Sequence, residues 1–186
     1  MYRLTLVRHA ETSWNEQRRL LGATDLPLSS TGNCQAARLR DRLAVERFTA
    51  AYASDLLRAS ATAETILEVH QGVLPVLLPA LRELDFGEAE GISGTSYLVA
   101  DEAADRLAEG LSTWLAGLWS RHEGGHVLVV SHGGPLRVML CVLLDLPPAR
   151  HWSFHLDCAG ISIVDCAPSL ATISLLNDCS HLRRST

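Results

Sequence analysis

The chain has 186 residues, 47% of them apolar, and a formal charge of −5 at pH 7. That is enough apolar sequence for one domain with a sizeable core. The mild acidity argues against broad nucleic-acid binding, which wants a basic face, but it leaves room for a local basic pocket.

Residues 2–7 form an apolar opening run and read as a buried strand. Ser29 or Ser30 is a candidate N-cap for a helix through residues 34–46 that buries Ala36, Leu39 and Leu43. Residues 50–53 read as a second strand. Asp55 is placed to cap a helix that carries Arg58 in its first turn and continues to about His70. Residues 76–78 read as a third, short strand, followed by a loop through Glu83 and Gly87. The spacing of Leu107, Leu111, Trp114, Leu115 and Leu118 predicts a helix over 101–121. Residues 127–130 are a wholly apolar strand, and Gly134-Pro135 opens a helix to about Leu144, proline suiting the first helical position. Residues 161–164 and 171–175 read as two last strands. Strands alternating with helices predict an α/β fold: a three-layer sandwich with a mainly parallel sheet and helices on both faces.

Ligands of such sheets bind outside the carboxyl ends of the strands. Arg8, His9, Ser54, Arg58 and His132 all fall at or just beyond those ends. Arginines offer forked donors that match phosphate oxygens, and a neutral imidazole can take a group covalently. The pattern points to a phosphoryl site.

Five ordered blocks carry a family resemblance. They are Arg8-His9-Ala10-Glu11-Thr12-Ser13-Trp14-Asn15, Asp25-Leu26-Pro27-Leu28-Ser29, Ser54-Asp55-Leu56-Leu57-Arg58-Ala59 with Thr62-Ala63, Leu81-Arg82-Glu83-Leu84-Asp85-Phe86-Gly87, and Ser131-His132-Gly133-Gly134. The chain resembles the histidine phosphatases, also called the phosphoglycerate-mutase-like superfamily. The resemblance implies that His9 is the nucleophile and that Arg8, Arg58 and His132 surround the phosphoryl oxygens. It implies that Glu83 is the general acid and base, with Asn15, Arg19 and the Gly133 amide as substrate contacts. No metal and no cofactor are implied. Three positions depart from the pattern: Ala10 stands for glycine, Ala89 for tryptophan and Leu21 for glutamine. The segment over about 91–125 looks short for the cap-like insertion that covers the substrate in this family. The C-terminal third, through residues 151–157 and 175–178, resembles α-ribazole phosphatases, which implies α-ribazole 5'-phosphate as a candidate substrate.

Two other motifs are set aside on local structure. His122-Glu123-Gly124-Gly125-His126 matches the zinc-protease pattern HExxH, but its adjacent glycines break the helix that pattern needs. Cys34 and Arg40 match a cysteine-phosphatase spacing, but they lie within an amphipathic helix instead of a phosphate-binding loop. The five cysteines form no CxxC pair, as expected of reduced thiols in a cytoplasmic protein. No signal peptide and no membrane span are expected. The expected partner is a small phosphorylated metabolite, not nucleic acid or membrane, and a homodimer is compatible with the reading. The expected activity is a metal-independent phosphomonoesterase. The alternatives are a phosphoglycerate mutase and a non-catalytic domain that binds phosphorylated ligands.

Overall fold

The computed structural model describes residues 1–93, 101–168 and 170–183. Strand β1 (Tyr2–Arg8) leads into a one-turn helix α1 (Ser13–Glu16), which a capping box between Thr12 and Asn15 starts. Helix α2 (Ser30–Leu43) begins where the Ser29 hydroxyl accepts from the Gly32 amide, so Ser29 is the N-cap. Strand β2 (Ala50–Ala53), helix α3 (Leu57–Leu67) and strand β3 (Pro75–Leu77) follow. Helix α4 (Asp101–Arg121), strand β4 (His126–Ser131) and helix α5 (Gly133–Leu143) come next, then the antiparallel strands β5 (Ile161–Ala167) and β6 (Leu170–Asp178).

The six strands lie in the order β3-β2-β4-β1-β5-β6. Pairings β3–β2, β2–β4 and β4–β1 are parallel, while β5 runs antiparallel to β1. Successive residues of a strand face opposite sides, and both sides here are apolar. Leu4, Leu6, Val127 and Val129 face α4 and α5, where Leu111, Leu118, Leu136 and Met139 are buried. Val7, Leu128, Val130 and Ala53 face α2 and α3, packing on Leu39, Leu43, Ala63 and Ile66. The result is the three-layer α/β sandwich with a mainly parallel sheet that the sequence predicts.

Two local readings need correction. Asp55 does not cap α3: its carboxylate takes two hydrogen bonds from Arg82, at 2.7 and 2.6 Å. The helix instead starts after Leu56 without a side-chain cap, and Asp25 accepts from the Leu57 amide at 2.8 Å. An arginine fork outcompetes a single amide for a carboxylate. The helix ends at Leu67, short of His70. Of the cap-like segment, residues 94–100 lie outside the described residues, and 101–121 form α4, which packs in the helix layer with Ala104, Ala108 and Leu115 buried. The HExxH stretch is the end of α4 and a turn with Gly124 at φ 76°, so its histidines diverge: His122 bonds Tyr52 and His126 bonds Thr5.

The packing of α2 on the loop after β1 turns on one close approach. A Cβ on Gly32 would lie 1.9 Å from the Glu11 carbonyl oxygen. Gly32→Ala should therefore push back the loop that follows His9. Overpacking of this kind costs about 1–3 kcal/mol, so a fall in Tm together with reduced turnover is expected. An unchanged melting curve and full activity would show that the loop gives way freely.

Candidate active site

The carboxyl ends of β1 and β4 place two histidines side by side. The His9 amide donates to the Ser131 carbonyl at 2.9 Å, and the His9 and Arg8 carbonyls accept from the Ala159 amide at 3.1 and 3.0 Å. The backbone at His9 is thus pinned from β4 on one side and from the turn before β5 on the other. The imidazole rings of His9 and His132 are 5.0 Å apart. His9 is only 2% exposed and His132 is fully buried.

Hydrogen bonds set the two tautomers in opposite senses. Nδ1 of His9 faces the Ala10 carbonyl oxygen at 2.8 Å, and a carbonyl can only accept. The proton is therefore on Nδ1, which leaves the lone pair on Nε2. Nδ1 of His132 instead accepts from Nε of Arg58 at 3.2 Å, so its proton is on Nε2. That Nε2 is buried and has no hydrogen-bond partner among the described residues; neither has Nε of Arg8. Burial pushes both imidazoles well below the ordinary histidine range. The Arg8 and Arg58 charges add to the effect on His9; the His9 ring and the two arginines add to it on His132. One neutral ring keeps a free acceptor nitrogen and the other a free donor.

Glu83 reaches the same place from the loop after β3. The Ser131 hydroxyl donates to the Leu81 carbonyl at 2.7 Å, tying that loop to the end of β4. The carboxylate of Glu83 accepts from the Gly134 amide at 3.2 Å and the Leu84 amide at 3.1 Å. A Cβ on Gly134 would come within 2.4 Å of Glu83 Oε1, so only glycine lets the carboxyl lie across the start of α5. Burial raises the Glu83 carboxyl above its ordinary value of 4.5, against the pull of those two amides and the arginines.

A cavity of about 750 Å³ opens onto these groups, lined by Arg8, His9, Asn15, Arg19, Glu83 and Gly133 among others. The Gly133 amide makes no hydrogen bond among the described residues, whereas the Gly134 amide is held by Glu83. Asn15 spends its carbonyl on the Thr12 amide and hydroxyl, which leaves its NH₂ group as a donor. Arg58 and His132 are not among the lining residues. Arg58 sits behind His132, with its Nη atoms donating to the carbonyls of Thr24 and Gly22 at 2.8 and 2.7 Å. Ala10 is fully buried, and its amide donates to the Thr62 hydroxyl at 3.1 Å, so the extra methyl group packs in the core. Leu21 adds an apolar side chain to the cavity wall.

Three residues outside the sequence reading belong to the same construction. Glu90 accepts from the amides of Ala23, Thr24 and Phe86 at 2.7, 2.8 and 3.2 Å and from the Thr24 hydroxyl. It fixes the turn whose carbonyls hold Arg58. Its signal was the continuation of the fourth block through Ala89-Glu90-Gly91. Arg137 and His151 also line the cavity. Arg137 lies one helical turn beyond the glycines of the fifth block, on the same face. His151 opens the C-terminal stretch that carries the resemblance, which gave it no site role; the turn over Pro148–Ser153 brings it to the cavity.

A metal-binding group of histidine, cysteine or acidic residues is absent among the described residues. Among them, too, no helix is long and apolar enough to cross a membrane.

A buried pair of histidines, a buried glutamate whose pKa is raised, and arginines meet at the ends of parallel strands, an arrangement chemically suited to phosphoryl transfer. Comparison with known proteins agrees. Residues 4–104 and 95–179 match the histidine phosphatase superfamily (branch 1). The chain is 30% identical to phosphoserine phosphatase 1 of Hydrogenobacter thermophilus over 98% of this chain and 95% of that one. It is 33% identical to phosphoglycerate mutase-like protein 4 of Arabidopsis thaliana over 72% of this chain and 67% of that one. The crystal structure of the α-ribazole phosphatase of Shigella flexneri superposes with a TM-score of 0.81 at 26% identity, covering 95% and 96% of the two chains. The chain belongs to the histidine phosphatase superfamily.

The opposed shifts of His9 and Glu83 set a pH window. As a nucleophile His9 would have to be unprotonated, which holds above its lowered value; as a general acid Glu83 would have to be protonated, which holds below its raised value. For an alkyl phosphate, kcat/KM should hold level as pH falls through 6.5, the ordinary histidine value, and decline only further down. Its alkaline limb should lie above 4.5, the ordinary value for glutamate. An acid limb at 6.5 would contradict the buried, neutral state of His9.

Proposed function

We propose that the protein is a metal-independent phosphomonoesterase that acts on a small phosphorylated metabolite through a phosphohistidine. The observation that carries this is the hydrogen bond from Nδ1 of His9 to the Ala10 carbonyl, which leaves Nε2 as the free nucleophilic atom. In the first step the Nε2 lone pair bonds to phosphorus as the bond to the leaving oxygen breaks. Glu83 gives its proton to that oxygen, and an alcohol departs. In the second step the Glu83 carboxylate takes a proton from water, the water oxygen bonds to phosphorus and the N–P electron pair returns to Nε2. Inorganic phosphate leaves and Glu83 is protonated again. Splitting the reaction this way makes each displacement easier.

Arg8, the His132 Nε2–H and the Gly133 amide supply positive charge and donors for the equatorial oxygens, whose charge grows in transfer. Arg58 acts on this group through His132 and through its own field. The Glu83 carboxyl within the cavity favours hydrolysis over passive binding of a phosphorylated ligand. Likeness to phosphatases acting on phosphoserine and on α-ribazole phosphate supports a small substrate. α-Ribazole 5'-phosphate is a candidate that the C-terminal segment supports. The mutase reading uses the same residues and differs only in whether water or a sugar acid receives the phosphoryl group.

His9→Ala should abolish turnover and leave the melting curve close to wild type, because His9 lies at a strand end. Acid-labile, base-stable phosphate should be trapped on the wild type after brief exposure to labelled substrate. Turnover by the variant would refute the assignment. Turnover should also persist in excess chelator.

Glu83→Gln should slow an alkyl phosphate about 10²- to 10⁴-fold. It should slow p-nitrophenyl phosphate far less, since that leaving group departs without a proton. Equal losses on both esters would move the acid elsewhere. Isomerisation of phosphoglycerate without phosphate release would establish the mutase instead.

A further inference from the structure

The catalytic scheme leaves three arginines of the cavity unused, and Arg137 is the one with a defined setting. Arg137 lies on α5 one turn beyond Gly133 and Gly134, about 4.5–6 Å along the helix and on the same face. It lines the cavity that holds His9 and Glu83. Its guanidinium carbon stands 4.9 Å from the centre of the Trp152 ring, a stacking contact that orients the planar group. Nε of Arg137 is buried without a hydrogen-bond partner. Its Nη atoms make no hydrogen bond among the described residues. No carboxylate among them forms an ion pair with it, unlike Arg3, Arg40, Arg42 and Arg82. Half-buried arginines are normally paired. This one rests on an aromatic face and lines the cavity.

Two further arginines, Arg18 and Arg19, line the same cavity, and neither forms an ion pair among the described residues. Four arginines and three carboxylates, Glu11, Glu83 and Asp157, thus line the cavity, and the charges of Glu83 and Asp157 act on Arg137 without forming an ion pair with it. A neutral leaving group would leave the Arg137 fork without an acceptor, whereas an anionic oxygen group would take it in the paired geometry that guanidinium favours.

We propose that Arg137, stacked on Trp152, binds a second anionic group of the substrate, a carboxylate or a second phosphate one helical turn from the reacting phosphoryl group. Arg137 is then the residue that selects the leaving group. The inference rests on the phosphatase reading and narrows it to acidic phosphomonoesters, in preference to a neutral nucleoside phosphate such as α-ribazole 5'-phosphate.

The test compares matched esters by phosphate release. 3-Phosphoglycerate and glycerol 3-phosphate differ only in a carboxylate against a hydroxymethyl group. Fructose 1,6-bisphosphate against fructose 6-phosphate supplies the second-phosphate arm, and α-ribazole 5'-phosphate the neutral one. The wild type should favour the acidic member of one pair by at least about tenfold in kcat/KM, the scale of one charge-assisted hydrogen bond; the pair that shows it identifies the anion. In Arg137→Met, which keeps the stem on Trp152, that ratio should fall to within about twofold of unity, mainly through KM. Arg137→Lys, which keeps the charge without the fork, should fall between. Equal kcat/KM for both members of each pair in the wild type would overturn the proposal without any variant. So would a preference that survives in Arg137→Met, or α-ribazole 5'-phosphate as the best substrate. Failure to release phosphate from any ester, p-nitrophenyl phosphate included, would overturn the phosphatase reading along with it.

Discussion

The site depends on one buried guanidinium. Arg58 has no exposed surface, and it donates to the Gly22 and Thr24 carbonyls and to Nδ1 of His132. It joins α3, the turn over residues 22–24 and the start of α5. Burying a cation costs several kcal/mol in lost hydration, and burial does press its pKa down; the charges of Glu83, Asp25 and Glu90 oppose that. Glu90 in turn holds the turn that presents the two carbonyls. The chain of contacts runs from Glu90 through Arg58 to His132, and its end product is a proton fixed on one particular nitrogen.

That proton matters because the two histidines have to differ. Side by side in a low-dielectric site, neither can carry a charge cheaply, and both are pushed toward neutrality. Neutral imidazole has one donor and one acceptor nitrogen, so a single hydrogen bond decides which faces the substrate. A backbone carbonyl leaves Nε2 of His9 with its lone pair free, and an arginine N–H leaves Nε2 of His132 as a donor. Arg8, Arg137 and His132 each keep a buried N–H without a partner. Buried donors in that condition are costly to a fold, and a phosphorylated ligand rich in oxygens is the kind of partner that offsets the cost.

Sheet topology brings these groups together. β4 lies between β1 and β2, so residues far apart in sequence end their strands in adjacent places. The register sets Arg8 opposite Ser131, which puts His9 and His132 next to one another one residue on. The antiparallel β5 adds the turn at Ala159, with φ of 57°, which holds the carbonyls of Arg8 and His9.

The order of strands and helices was legible in the sequence, because both sheet faces are buried and the apolar runs of β1, β2 and β4 stand out. The residues that meet at the candidate site were legible for a related reason: charged side chains directly after apolar strands have few structural uses. Sequence alone also dismissed the HExxH stretch, since glycine at its centre ends a helix. Other features depended on partners distant in the chain. Asp55 looked like a cap because nothing local shows that Arg82 competes for it. Arg58 looked like a phosphate ligand, yet three acceptors from two other segments set it behind His132. Glu90, Arg137 and His151 show their contacts only through the neighbours that folding gave them. Local patterns determine which elements form; hydrogen-bond acceptors and ring faces delivered across the fold decide what each side chain does.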